Sequence, residues 1–284
     1  MRARWTNIIL LAAAALLTAA CSVSRLAYLN APPLALWYVG GYFAMTDAQK
    51  GFFRERLSRA MAWHRSNELP EYRLAIERLV ETSDGTIPVD DIRATYAKAR
   101  NFYHRALEHL LPDVADFVLQ LDEEQLQQVE KKFAAENRKF VDESVKGPAD
   151  ERHARLAKKY IDQFEEWTGK LAPEQRAILV SAVTRLPEVT EERLGDRRYR
   201  QLEALNLVRS KPSREKVVAE LKRLLIDTDT WRRPEYVKKM RERDERIFEA
   251  VSELSATLTP EQRGSVQRKL RGYVKDISSI IASS

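Results

Sequence analysis

From Thr46 onward the apolar residues recur at steps of three and four, the period of a helix with one buried face. Val89, Ile92, Tyr96, Ala99, Tyr103, Leu107 and Leu110 form one such stripe, and Val217, Val218, Leu221, Leu224 and Leu225 another. Leu156, Tyr160, Phe164 and Trp167 repeat the pattern, as do Val237, Met240, Ile247, Val251 and Leu254, and finally Val266, Leu270, Tyr273, Ile277 and Ile280. No run alternates apolar and polar between turn signals, so the chain predicts an all-α fold, a bundle of about eight to ten amphipathic helices with short loops and no sheet. Pro, Gly or capping residues mark breaks at 67–70, 83–88, 147–148, 169–173, 186–187, 210–212 and 231–234. Residues 46–284 read as one helical domain, or as two subdomains divided near 170–190. Composition agrees: 44% hydrophobic and 32% charged residues suit a folded chain, and nine glycines in 284 residues is few.

One short element recurs. MTDAQK (45–50), LDEEQL (121–126), LAPEQR (171–176) and LTPEQR (258–263) each place an apolar residue before a helix start and a Gln at a fixed offset. Thr46, Asp122 and Thr259 are good N-caps, and a Gln three positions later can return to the N-cap N–H, as in a capping box. Pro173 and Pro260 fall at the first helical position, where no N–H is needed. The spacings of 76, 50 and 87 residues exclude a regular solenoid. The element resembles the L-T-x-x-Q motif of the Spy- and CpxP-type periplasmic chaperones, small helical cradles that bind unfolded clients or sensor domains; residues 258–262 match it literally.

The N-terminus differs from everything after it. Residues 1–20 carry Arg2 and Arg4, an apolar stretch from Ile8 to Leu17, and the small residues Ala19 and Ala20, the three parts of a secretory signal peptide. Cys21, the single cysteine, follows directly, which resembles the bacterial lipobox, with Thr18 where Leu is commonest. The resemblance implies cleavage before Cys21 and a diacylglyceryl thioether on its sulfur. A lone thiol in an oxidising compartment is a liability that acylation removes, and two or more chains hold a protein stably on a bilayer. Ser22, where Asp signals inner-membrane retention, points to the outer membrane, with the protein facing the periplasm. Residues 21–45 then form an apolar, aromatic arm with no charge after Arg25. It is expected to pack on the helical body through Leu36, Trp37, Tyr38, Tyr42 and Phe43. The rival reading lays Tyr28, Trp37 and Tyr38 in the membrane interface.

Charge narrows the function. Lys plus Arg exceed Asp plus Glu by 48 to 42, and removing Arg2 and Arg4 lowers the excess from +6 to +4. Basic and acidic residues are interleaved, even in RRPEYVKKMRERDERIFEA, so a nucleic-acid partner is not indicated and this segment reads as a solvated helix face. The most distinctive grouping is WHRSNELPEY. Trp63, His64, Arg65, Glu68 and Tyr72 are the candidate binding residues there; the competing reading makes Trp63 and Tyr72 core residues at a helix–helix corner where Pro70 opens the next helix. Together with YFAMTDAQKGFFRERLSRAMAWHRSNELPEY (42–72), Leu121 to Gln125 and the charged C-terminal helices, it resembles a proteobacterial family of envelope lipoproteins of unknown function. That resemblance implies a helical, lipid-anchored protein and supplies no activity.

Catalytic and metal motifs are not found. His104 and His109 stand five apart, about 140° around a helix, and His153 is solitary, so no metal site is expected. There is no G-x-S-x-G, no G-x-x-x-x-G-K and no G-x-G-x-x-G. The sequence therefore predicts no catalytic residues and no cofactor. It points to a scaffold, interaction or chaperone-like protein whose partners are the membrane, through its anchor, and an envelope protein or lipid. The alternative is a lipid or lipopolysaccharide handler. The oligomeric state is open.

Overall fold

Helix periods become helices over nearly the whole chain. A computed structural model describes residues 23–283; the stretch expected to be a signal peptide and Cys21 lie outside them. The elements are α1 (Val23–Leu29), α2 (Ala31–Phe43), α3 (Asp47–Trp63), α4 (Leu69–Thr82), α5 (Val89–Val118), α6 (Glu123–Phe140), α7 (Ala149–Thr168), α8 (Pro173–Thr184), α9 (Thr190–Arg209), α10 (Arg214–Leu225), α11 (Pro234–Thr257) and α12 (Pro260–Ala282). No strand occurs among the described residues, and ten α-helices follow Thr46, as the periodicity predicts.

Six of the seven expected breaks are real, and the seventh is not. At 67–70 the chain does not turn a corner: a π-turn, His64–Glu68, joins α3 to α4 without interruption. Pro70 has no N–H, and its ring would strike the carbonyl of Ser66 in ordinary α geometry. The wider turn relieves this, with Leu69 N–H reaching back five residues to His64 O. Ser66 Oγ and Asn67 Nδ2 donate to Ala62 O and Trp63 O at 3.1 and 3.0 Å, giving carbonyls of the widened turn other donors. The outcome is a helical rod over 47–82, about 54 Å long at 1.5 Å per residue.

That rod and α5 form an antiparallel hairpin closed by the turn at 83–88. α12 packs along α4, α11 and α10 along α5, α9 on α6, and α7 against α8 and α12. The buried apolar residues follow these pairings. Met45, Phe117, Leu121, Leu126, Val129 and Leu205 fill the open end of the hairpin, Leu111, Ala115, Val217 and Leu221 its flank, and Leu171, Leu179 and Leu254 the far end.

Two expected faces sit differently. The arm is helical, and Leu36, Val39 and Phe43 pack on the first core while Tyr42 lies against Phe133. Trp37 and Tyr38, expected inside, are 77% and 59% exposed. On a helix Leu34, Trp37, Tyr38 and Gly41 share the face opposite Leu36, Val39 and Phe43. Since α2 has no charged residue, whichever face turns outward must be apolar. In α5 the middle of the predicted stripe is likewise exposed, at Tyr96, Ala99 and Tyr103. Here α5 bridges between α11, where Tyr96 meets Phe248 with one side of its ring, and the π-turn, and it uses Phe102, Arg105 and Leu111 for its other contacts.

Candidate functional site

The four recurring elements meet in two pairs. Thr46 and Asp122 accept the N–H of Gln49 and Gln125 in their side chains, and each Gln Oε1 accepts the N–H of its own N-cap, completing two capping boxes. The glutamines then reach across. Gln49 Nε2 donates to Gln125 Oε1 at 3.1 Å and to Gln120 O at 3.1 Å; Gln125 Nε2 donates to Gln49 Oε1 at 2.8 Å and to Phe43 O at 2.8 Å. Every N–H of both buried amides is used, and each oxygen accepts two hydrogen bonds. The amide orientation is fixed by this, because exchanging N and O would aim N–H at N–H.

An equivalent lock closes the far end. Gln175 Nε2 donates to Gln262 Oε1 at 2.8 Å and Thr257 O at 2.9 Å, and Gln262 Nε2 donates to Gln175 Oε1 at 2.9 Å and Lys170 O at 3.0 Å. Ala172 has no side-chain acceptor, so only the return half of its capping box forms, from its N–H to Gln175 Oε1. Each lock therefore ties the turns of two helical hairpins together: α2–α3 to α5–α6, and α7–α8 to α11–α12. The leading apolar residues Met45, Leu121 and Leu171 are buried beside them.

The Trp63–Tyr72 cluster does not gather around one point. Trp63 stacks face to face on His109, with ring centres 3.7 Å apart and planes at 7°. His64 Nδ1 lies 3.2 Å from the Tyr28 hydroxyl of the arm, and its ring meets the edge of Tyr72 at 5.4 Å. Glu68, 2% exposed, accepts Arg105 Nε and Nη2 at 3.1 and 2.8 Å. Burial, with the Glu68 charge and hydrogen bond, pushes the Tyr72 hydroxyl up to about 12. Burial also lowers the His64 imidazole against the opposing pull of Glu68. These residues form a polar seam between arm, π-turn and α5, with His64 engaged by Tyr28 and Glu68 by Arg105.

Arg65 also faces the Tyr28 hydroxyl, where its hydrogen bond and charge oppose the rise that burial imposes. It lines, with Arg54, a cavity of about 530 Å³ beneath the arm whose walls include Pro32, Leu36, Leu57 and Met61. Its Nε is buried without a hydrogen-bond partner. A second cavity of about 530 Å³ opens beside the far lock, between Phe164, Trp167, Val251 and Leu258. Among the described residues no group of three or more His, Cys, Asp or Glu is placed to hold a metal ion, and no helix is long and apolar enough to cross a membrane.

An all-α architecture clamped at two hairpin crossings is thus the class that fold and site define. The chain belongs to DUF6279, a family of unknown function, which it matches over residues 41–237. The match contains the whole of the first lock and ends within α11, before Gln262. No curated protein and no solved structure matches the chain.

Proposed function

We propose that the protein is a lipid-anchored, periplasm-facing lipoprotein of the bacterial outer membrane that acts through binding, as a scaffold or chaperone-like partner of envelope proteins. The observation that carries this reading is the pair of glutamine locks. They hold hairpin turns rigidly at both ends of the long hairpin and leave helix faces between them, among them the apolar cavity at Phe164 and Trp167. The L-T-x-x-Q resemblance points the same way, since its chaperones present helical cradles to clients. The tether rests on Cys21 and its lipobox, and the outward Leu34, Trp37 and Tyr38 suit the membrane interface next to such an anchor. Photo-crosslinking in cells from positions 63 and 167 tests the binding role. Discrete adducts with envelope proteins are expected; only self-adducts, together with no slowing of a model client's aggregation by purified protein, would contradict it.

The cavity beneath the arm favours a second reading, handling of an envelope lipid or lipopolysaccharide. Its walls are apolar and its rim holds Arg54 and Arg65. Mass spectrometry of lipid co-purified with the intact chain separates this reading from the first: a stoichiometric lipid lost on Leu57→Glu supports it, and none retained opposes it.

A further inference from the structure

Five cations converge on a cleft of about 320 Å³ far along the chain from the arm. Arg152, Arg155 and Lys159 project from α7 at steps of three and four, Arg193 comes from α9 and Arg243 from α11. Two carboxylates, Glu143 and Glu188, share the lining, so the formal balance is five minus two, or +3. Glu188 is already engaged: it accepts Arg152 at 2.9 Å and the backbone N–H groups of Val189 and Thr190 at 3.0 and 2.9 Å. Burial would raise its carboxyl, but the hydrogen bonds from Thr190 and Arg152 outweigh this and hold it down at about 2.

Arg155 faces Glu151 at 3.8 Å, one turn back on α7, and the other three cations lack carboxylate partners within ion-pair distance. Arg243 is half-buried and donates Nη1 to Pro187 O at 2.5 Å, a neutral acceptor. It, Arg193 and Lys159 form no ion pair among the described residues, and Arg152 Nε is buried without a hydrogen-bond partner. Burial first, with Arg193 adding repulsion, lowers the Arg243 guanidinium from its usual range. A partly buried guanidinium beside a second one is unfavourable unless an anion answers both. One wall of the cleft is the second π-turn, Val141–Val145, which supplies Glu143 and Ser144. Such turns recur at functional sites.

We propose that this cleft binds a phosphate-bearing anion of two or more negative charges, held by Arg193, Arg243 and the α7 cations. Guanidinium forks arriving from three helices match the several oxygens of phosphate better than a single carboxylate. The volume is at the lower end of ligand cavities, which suits a phosphate group with a small attachment. The phosphate belongs either to a soluble compound or to a lipid headgroup, and the site is independent of the tether and of the binding role proposed above.

Titration of the full-length, detergent-solubilised chain with inorganic pyrophosphate, by calorimetry and thermal shift, tests it. One saturable site and a rising Tm are expected. Arg193→Ala and Arg243→Gln each weaken binding about ten-fold or more, the loss of one charge-assisted contact. Arg193→Lys retains most of it, and Arg241→Ala, which removes an exposed pair with Asp229, leaves it unchanged. Arg193 is exposed, so Arg193→Ala keeps its helical circular dichroism. Native mass spectrometry of membrane-purified protein identifies the source: a phospholipid retained by the wild type and lost from Arg193→Ala assigns a headgroup, while pyrophosphate binding without retained lipid assigns a soluble ligand. No saturable pyrophosphate binding combined with no retained phospholipid, or wild-type affinity in both Arg193→Ala and Arg243→Gln, would overturn the proposal.

Discussion

Gln49 and Gln125 stand 76 residues apart, yet each donates a side-chain N–H to the other's oxygen at 3.1 and 2.8 Å. Both are buried, and the exchange is what satisfies them. Truncating one strands the other's amide and a backbone carbonyl away from water. Gln125→Ala is therefore expected to destabilise the fold by about 2–3 kcal/mol in urea unfolding, as is Gln262→Ala at the second lock. The double variant Gln49→Ala/Gln125→Ala should cost clearly less than the sum of its singles. Strict additivity would show that the two capping boxes act separately.

The Glu68–Arg105 pair is asymmetric. The Glu68 side chain is 3% exposed and that of Arg105 47%. Removing the cation leaves a carboxylate buried in the π-turn, whereas a released guanidinium can reach water. Arg105→Ala is expected to cost about 3 kcal/mol, more than Glu68→Gln. The reverse order in thermal unfolding would contradict this placement of the charge.

His64 links arm stability to pH. Its pKa is lowered in the fold by burial, with Glu68 opposing, so the unfolded chain takes up the proton first. More protons on the unfolded state means that stability falls as pH drops below the ordinary imidazole value of about 6.5. The Tyr28 hydroxyl of α1 lies 3.2 Å from His64 Nδ1, so the same titration is felt in α1. Between pH 7.5 and 5.5 the wild type should lose more Tm than His64→Gln, and hydrogen exchange in α1 should rise. Equal losses would remove His64 from the account.

Trp37 and Tyr38 lie outward on the arm, and the proposed tether places them at the bilayer surface. Trp37→Ser with Tyr38→Ser is expected to leave Tm nearly unchanged, because neither side chain is in the core. It should weaken binding of the protein to liposomes in the absence of an acyl chain. A Tm drop of several degrees would mean that these rings pack inward.

Helix type and most boundaries were legible in the sequence because each rests on local spacing, as at Val217, Leu221 and Leu224. The four capping elements were legible too, but a capping box accounts for Gln49 and Gln175 within their own helices, which hides their partners 76 and 87 residues on. Pro70 signals a break, and nothing local distinguishes a break from a π-turn. Among the candidate residues, spacing put Trp63 to Tyr72 together in sequence, while the rod points Trp63 at His109, Arg65 at the cavity and Glu68 at Arg105. The cationic cleft was invisible for a similar reason: Arg152, Arg193 and Arg243 come from three helices, and Arg243 sits in a segment whose neighbours Arg241 and Arg246 are ion-paired on the surface.

The tether at Cys21 is tested most directly by mass spectrometry of the mature N-terminus from membranes of expressing cells, beside the Cys21→Ala variant. The account predicts a chain beginning at Cys21 and carrying diacylglyceryl mass on its sulfur, with Cys21→Ala neither lipidated nor cut at that bond. A wild-type N-terminus at another residue, or an unacylated Cys21, would contradict it.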